Sequence, residues 1–293
     1  MSDLKVLSSN PPVSAGPSQQ SRLLLMLPVY NQVAELEALF RSLEGRWKFS
    51  VLAVDDGSTD DSIALLEDWL GRRTVIRHVR NEGYGAAICS GLKYALREKY
   101  DFLLSFDADL QHDARFIAPF LDLAQTADII SGSRYLPASP RLSQTPKLRE
   151  MGDRLYRHLL AAFTPLVLTD VWCGMRLVRV AAAERLSIRS TGYEYPLEFW
   201  PSVAQAGLSV REVAVPLIYY DRDFLRDSDP TVLRDRGKLF LRTFIQTVRR
   251  VFDVDPRRVG DETQRALASG AFPFETGERA VIQHVVSEVI AGR

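Results

Sequence analysis

The chain has 293 residues, 46% hydrophobic and 25% charged, with 37 basic side chains balanced by 37 acidic ones. That length suits one large α/β domain with appendages, and the even charge gives no case for nucleic acid as a partner. With only two cysteines, Cys89 and Cys173, no disulfide framework or zinc centre is expected, and no apolar run reaches the ~18 residues a membrane span requires.

Residues 1–21 are rich in Ser, Pro and Gln without periodicity and read as a disordered lead-in. Residues 22–240 read as the main domain and 241–293 as a C-terminal helical extension. The first strand is Leu23 to Leu27, closed by Pro28-Val29-Tyr30-Asn31, and a helix from Val33 to Leu43 follows with Leu36, Leu39, Phe40 and Leu43 on one face. Phe49 to Val54 is a second strand ending in Asp55-Asp56-Gly57. Thr59 or Asp60 caps the next helix, which runs to Leu70. Thr74 to Val79 is a third strand, and Asn81-Glu82-Gly83-Tyr84-Gly85 turns into a helix ending near Glu98. A fourth strand from Phe102 runs into Asp107-Ala108-Asp109-Leu110-Gln111-His112. A helix at Ala114 to Ala124 and a fifth strand at Asp128 to Ser133 complete the alternation.

Five strands alternating with four helices predict a mostly parallel sheet covered on both faces. In such a sheet ligands bind beyond the C-terminal strand ends. Those ends here carry Asn31, Asp55 and Asp56, Asn81, Asp107 and Asp109, and Arg134. Asp107 and Asp109, two apart on an extended chain, point the same way and either share one hard cation or form an ordinary acidic loop.

The second half is less regular. A Pro- and Ser-rich loop at Tyr135 to Pro146 precedes a helix at Lys147 to Phe163; an interrupted segment at Asp170 to Arg176 leads to a short strand and a helix at Ala181 to Leu186. A helix at Tyr193 to Ala206 carries Glu194 and Glu198, Leu208 to Val215 is a strand, and Leu233 to Val251 is a long amphipathic helix. Arg and Lys gather at 141–157 and 234–258, either as solvated faces or toward phosphate or an anionic membrane surface. His78, His158 and His284 show no ligand spacing.

Taken together, several motifs resemble glycosyltransferase family 2, in its branch of dolichol- and polyprenyl-phosphate sugar synthases. They are Leu27–Asn31, Val54–Ser62, Asn81–Ala87, Asp107–His112, Gly132–Tyr135, Cys173–Arg176, Gly192–Glu198 and Arg211–Pro216, in the family's order. The resemblance implies a GT-A fold and inverting transfer of a hexose from a nucleoside diphosphate sugar of GDP-mannose or UDP-glucose type. It implies Mg²⁺ or Mn²⁺ on Asp107, Asp109 and Gln111. It also implies a nucleotide pocket of Pro28, Tyr30, Asn31, Asp55, Asp56, Asn81, Gly85 and Asp107. The implied acceptor is a polyprenyl phosphate, positioned by Arg134 and Arg149 and by Ser228 and Arg234 in a looser match.

A hydroxyl acceptor, on a saccharide or natural product, would instead need a carboxylate base, with Glu198 first and Glu194 second. Two departures bear on the lipid acceptor. Asp153 stands where the branch has Ser or Asn, and the transmembrane pair of many relatives is missing from the sequence. A cytoplasmic protein, peripheral on the membrane face, is the expected setting, with self-association open. A non-catalytic nucleotide-sugar scaffold is the competing class, against which the intact Asp107, Asp109 and Gln111 set counts.

Overall fold

The computed structural model describes residues 21–45, 49–220, 230–269 and 283–289. The expected lead-in at 1–21 therefore lies, but for Ser21, outside the described residues. Seven strands form one sheet: β1 Leu23–Val29, β2 Ser50–Asp55, β3 Val75–Arg77, β4 Phe102–Ser105, β5 Ile129–Ser133, β6 Arg176–Arg179 and β7 Val210–Ala214. Their order is β3-β2-β1-β4-β6-β5-β7. Pairs β1·β2, β1·β4, β2·β3 and β5·β7 are parallel, whereas β6 runs antiparallel to both β4 and β5. The mostly parallel sheet of the sequence reading is present, with one reversed strand wedged between β4 and β5.

Helices cover both faces: α1 Val33–Leu43, α2 Ser62–Leu70, α3 Tyr84–Arg97, α4 Ile117–Leu123, α5 Lys147–Phe163, α6 Val180–Ala183, α7 Tyr195–Gln205, α8 Pro230–Phe252 and α9 Pro256–Ala268. Strand alternation divides the core. Leu24 and Met26 of β1 face one cluster, with Ile88 of α3, Leu160 of α5, Trp200 of α7 and Phe244 of α8. Leu25, Leu27 and Val29 face the other, with Leu36 and Phe40 of α1, Leu66 of α2 and Phe120 of α4. Burial on both sides explains why β1 reads as a continuous apolar run. At Gly91 of α3 an added Cβ would meet Met26 Cγ at 2.7 Å, so that helix lies close against β1.

Residues 230–252 form one helix across the expected boundary at 240/241, and α8 packs on α7 and α5. Among the described residues no helix is long and apolar enough to cross a membrane.

Candidate active site

The end of β4 builds the acidic cluster. Phe106 donates its N–H to Met26 O at 2.9 Å and extends the ladder by one residue, after which the chain leaves the sheet. The turn is then fixed locally. Leu110 takes φ +66°, Asp109 Oδ1 accepts the Gln111 N–H at 3.0 Å, and the Asp107 N–H donates to His112 Nδ1 at 2.9 Å. That bond needs an unprotonated Nδ1, in keeping with burial driving the His112 pKa down to about 4. His112 is thus the structural residue that curls Asp107, Asp109 and Gln111 back over the strand end.

Asp107 is held by Tyr84 from the start of α3, whose hydroxyl donates to Oδ1 at 3.2 Å. Burial raises the Asp107 pKa to about 6, against the lowering effects of Tyr84, Arg176 and Arg134. An ionised carboxylate here lacks part of its compensating charge, which a cation would supply. On the other side Asp107 Oδ2 is packed against Gly174, where an added Cβ would lie only 1.9 Å away. Among the described residues no three His, Cys, Asp or Glu side chains converge as a metal cage. The donors expected from the sequence, two carboxylates and an amide, are all oxygen, a set that would fit a hard divalent ion whose shell a ligand completes.

The neighbouring strand ends carry the residues expected on the nucleotide side. Asp55 is the last residue of β2 and is wholly buried; Oδ1 accepts the Ser58 N–H at 3.2 Å and Oδ2 lies 3.5 Å from Arg77 Nε. Asp56 accepts the Glu82 and Gly83 N–H groups at 2.9 and 2.8 Å, so it anchors the turn that carries Asn81. Asn31, at φ +52°, accepts the Thr59 N–H at 2.8 Å and donates its own N–H to Ser58 Oγ at 3.0 Å. Pro28 is half-buried in β1, and Tyr30 stands exposed at its rim. Gly85 has no room for a side chain, since a Cβ would meet Ser190 O at 2.7 Å. Sequence reasoning missed His78, which joins Asp56 Oδ1 (2.7 Å) to Ser90 Oγ (2.9 Å) and aligns β3 with α3.

On the acceptor side Arg134 is not an open cation. Its Nε and Nη2 engage both oxygens of buried Asp170 at 2.6 and 2.9 Å, and Nη1 donates to Tyr219 Oη at 2.8 Å. Although burial opposes ionisation, Arg134 holds the Asp170 carboxyl below its ordinary range. Arg149 lies 5.3 Å from the Tyr219 ring and Arg134 5.7 Å, so the fold does bring these two arginines to one aromatic. Ser228 and the side chain of Arg234 lie outside the described residues.

Glu198, the first candidate for a base, has both carboxylate oxygens engaged. It is buried on α7; Oε2 accepts the Arg189 and Ser190 N–H groups at 2.7 and 2.5 Å, and Oε1 pairs with Arg250 of α8. Burial disfavours the charge, yet these donors hold its pKa below the usual value. A carboxylate so engaged is a poor proton acceptor and a good tether. Glu194 is half-buried and accepts the Gly192 N–H at 3.1 Å.

Comparison with known proteins bears on the family and the fold. An undecaprenyl-phosphate mannosyltransferase of Micrococcus luteus is 29% identical over 216 residues, 69% of this chain and 85% of that protein. A polyprenol monophosphomannose synthase of Mycolicibacterium smegmatis is 27% identical over 221 residues, 72% and 82% of the two chains. In fold, the chain is similar to the mannosyltransferase PcManGT from Pyrobaculum calidifontis in complex with GDP-Man and Mn²⁺, with TM-score 0.57 and 16% identity over 98% of this chain and 92% of that one. Such neighbours have the GT-A fold. The model of glycosyl transferase family 2 matches residues 25–187, more than half of the sequence, and the chain belongs to that family.

Proposed function

We propose that this glycosyltransferase moves a hexose, with inversion, from a nucleoside diphosphate sugar of GDP-mannose or UDP-glucose type to a polyprenyl phosphate at the cytoplasmic face of a membrane. The observation that carries the reading is the curled end of β4, which presents Asp107, Asp109 and Gln111, with the Asp107 carboxylate packed against Gly174. The two polyprenyl-phosphate relatives support the choice of acceptor.

Asp107, Asp109 and Gln111 would hold Mg²⁺ or Mn²⁺, which would supply Lewis-acid charge for the leaving diphosphate. The chain's own residues do the positioning. Tyr84 orients Asp107, and Asp56 with His78 fixes the turn at 81–83 under the nucleotide. The engagement of Glu198 favours an acceptor that needs no base, because a phosphate oxygen is already a nucleophile. Arg149 at Tyr219 is the arginine to receive that phosphate, with Arg134 braced behind it by Asp170.

The test is incubation of the full chain with lipid extract, a divalent cation and radiolabelled donors. Metal-dependent label in the organic phase is expected. Label confined to water with every donor would defeat the lipid acceptor, and tight donor binding without turnover would favour a scaffold.

A further inference from the structure

Tyr220 reaches the curled end of β4 from a distant part of the chain. Beyond β7 the backbone is threaded beside β5 and the loop that follows it. The Val215 N–H donates to Ser133 O at 2.9 Å, the Leu217 N–H to Pro140 O at 2.8 Å and the Tyr219 N–H to Ser143 Oγ at 2.8 Å. Leu217 and Tyr219 are buried, so the course of this segment is fixed before it arrives at Tyr220. The two tyrosines then reach different parts of the site. Tyr219 Oη accepts from Arg134 Nη1 at 2.8 Å, whereas the Tyr220 hydroxyl donates to Leu110 O at 3.0 Å.

Leu110 sits between Asp109 and Gln111, and its φ of +66° is unusual for a bulky side chain. Such a conformation persists only where the surroundings hold it. Two of the bonds that shape this turn are made within it, from the Gln111 N–H to Asp109 Oδ1 and from the Asp107 N–H to His112 Nδ1. The bond from Tyr220 spans 110 positions and holds the Leu110 carbonyl itself. Rotation of that peptide unit would carry Gln111 away from Asp109, while groups that share one ion must keep their places to within about 0.5 Å. The Tyr220 side chain is not a core residue, being 39% exposed, so its hydroxyl is the part that acts on the turn.

We propose that Tyr220 is a positioning residue for cation binding, its hydroxyl on the Leu110 carbonyl keeping Asp107, Asp109 and Gln111 in the arrangement that receives the metal of the nucleotide sugar donor. The inference rests on the reading of those three residues as the cation's ligands. Tyr220 touches neither the ion nor the donor and works only through the turn. Because its neighbour Tyr219 is bonded to Arg134, the same peptide unit also spaces the cation turn from that arginine.

The test has two measurements on the full chain. In metal-free protein, amide hydrogen exchange is followed in the peptide covering residues 107–112. Tyr220→Phe, which removes only the hydroxyl, should speed that exchange about tenfold while the melting temperature stays within a degree or so of wild type. Next, Mn²⁺ is titrated against the melting shift produced by GDP or UDP, whichever is larger. The variant should need about tenfold more Mn²⁺ for half the shift, with the metal-free nucleotide shift unchanged. Tyr220→Leu should match Tyr220→Phe in both measurements. Wild-type exchange and Mn²⁺ requirement in Tyr220→Phe overturn the proposal, and so does faster exchange with an unaltered Mn²⁺ requirement. A loss seen for Tyr220→Leu but not for Tyr220→Phe overturns it too, since ring packing would then be responsible. In each of these cases the wild-type shift with Mn²⁺ still stands, and only the role of Tyr220 is lost. A wild-type protein whose nucleotide shifts all ignore Mn²⁺ instead removes the cation reading, and the proposal with it.

Discussion

A methyl group added at Gly174 would stand 1.9 Å from Asp107 Oδ2, well inside contact distance, so Gly174→Ala must turn the carboxylate out of its present position. Because displacement of about 1 Å in an active site costs roughly a hundredfold, transfer should fall by at least about that factor while the melting temperature changes little. Asp109→Ala should likewise cost about a hundredfold or more, with the fold intact, since its half-exposed side chain contributes little packing. Circular dichroism alongside activity checks both variants, and near-normal turnover in either would remove the cation from this position.

Asp153 behaves differently. Burial first, and Asp170 second, raise its carboxyl to about 7. A folded pKa above the unfolded one means that the group's stabilising contribution is complete below the unfolded value, about 4, and is lost as pH rises through about 7. The melting temperature of Asp153→Asn relative to wild type should therefore rise between about pH 5 and pH 8. A flat difference across that range would show that Asp153 titrates normally.

Between residue and molecule lies the strap joining α7, α8 and the loop at 187–192. Glu198 grips the loop at Arg189 and Ser190, Arg250 donates to Ser187 O at 3.2 Å, and Ser202 Oγ donates to the same oxygen at 3.1 Å. The loop's other end accepts the Ala86 N–H at Thr191 O, 2.9 Å, and so braces the start of α3 where Tyr84 meets Asp107. Glu198→Gln leaves the Arg250 charge uncompensated and should cost roughly 1–3 kcal/mol of stability. It should raise the KM for donor more than it lowers kcat; a pure kcat loss at unchanged stability would return Glu198 to the role of base.

This strap shows why the sequence was legible in one half and less so in the other. β1 to β5 alternate with helices whose ladders and turns are local, so period and turn residues locate them within a residue or two. Asp107 and Asp109 could be read because they end such a strand. The expected helix at Ala114 to Ala124 is split into a 3₁₀ turn at Ala114–Phe116 and α4, because Asp113 caps at Arg115 N. The role of Glu198 depends instead on Arg250, 52 positions away, and that of Arg134 on Asp170, 36 away. No periodicity carries such pairings. Only the Asp-Val-Trp-Cys-Gly-Met-Arg stretch, with its isolated acid and cation, offered a signal for Asp170.

At the scale of the whole molecule, both core clusters share β1, and the site lies along the edge where β1, β2 and β4 end. A nucleotide bound there should therefore stabilise the molecule as a unit. At a ligand concentration of about 100 Kd the gain is roughly 2.7 kcal/mol, which is visible as a melting shift. Among nucleoside diphosphates with and without Mn²⁺, one base should give the larger shift, and only with metal. Identical shifts without metal would separate nucleotide binding from Asp107 and Asp109.

The reversed strand β6 has a further consequence, for biosynthesis. β4 is complete at Ser105, yet the partner on its outer edge begins at Arg176, and Ser105 Oγ donates to Gly174 O across 69 positions. While the ribosome makes the intervening segment, the nascent sheet carries an open, apolar margin next to its two aspartates. Distant pairings of this kind form slowly, and uncovered strand edges invite association. The strand that closes the sheet is also the one that brings Gly174 to Asp107. A nascent chain thus seats Asp107 against Gly174 in the same event that covers the open edge of β4.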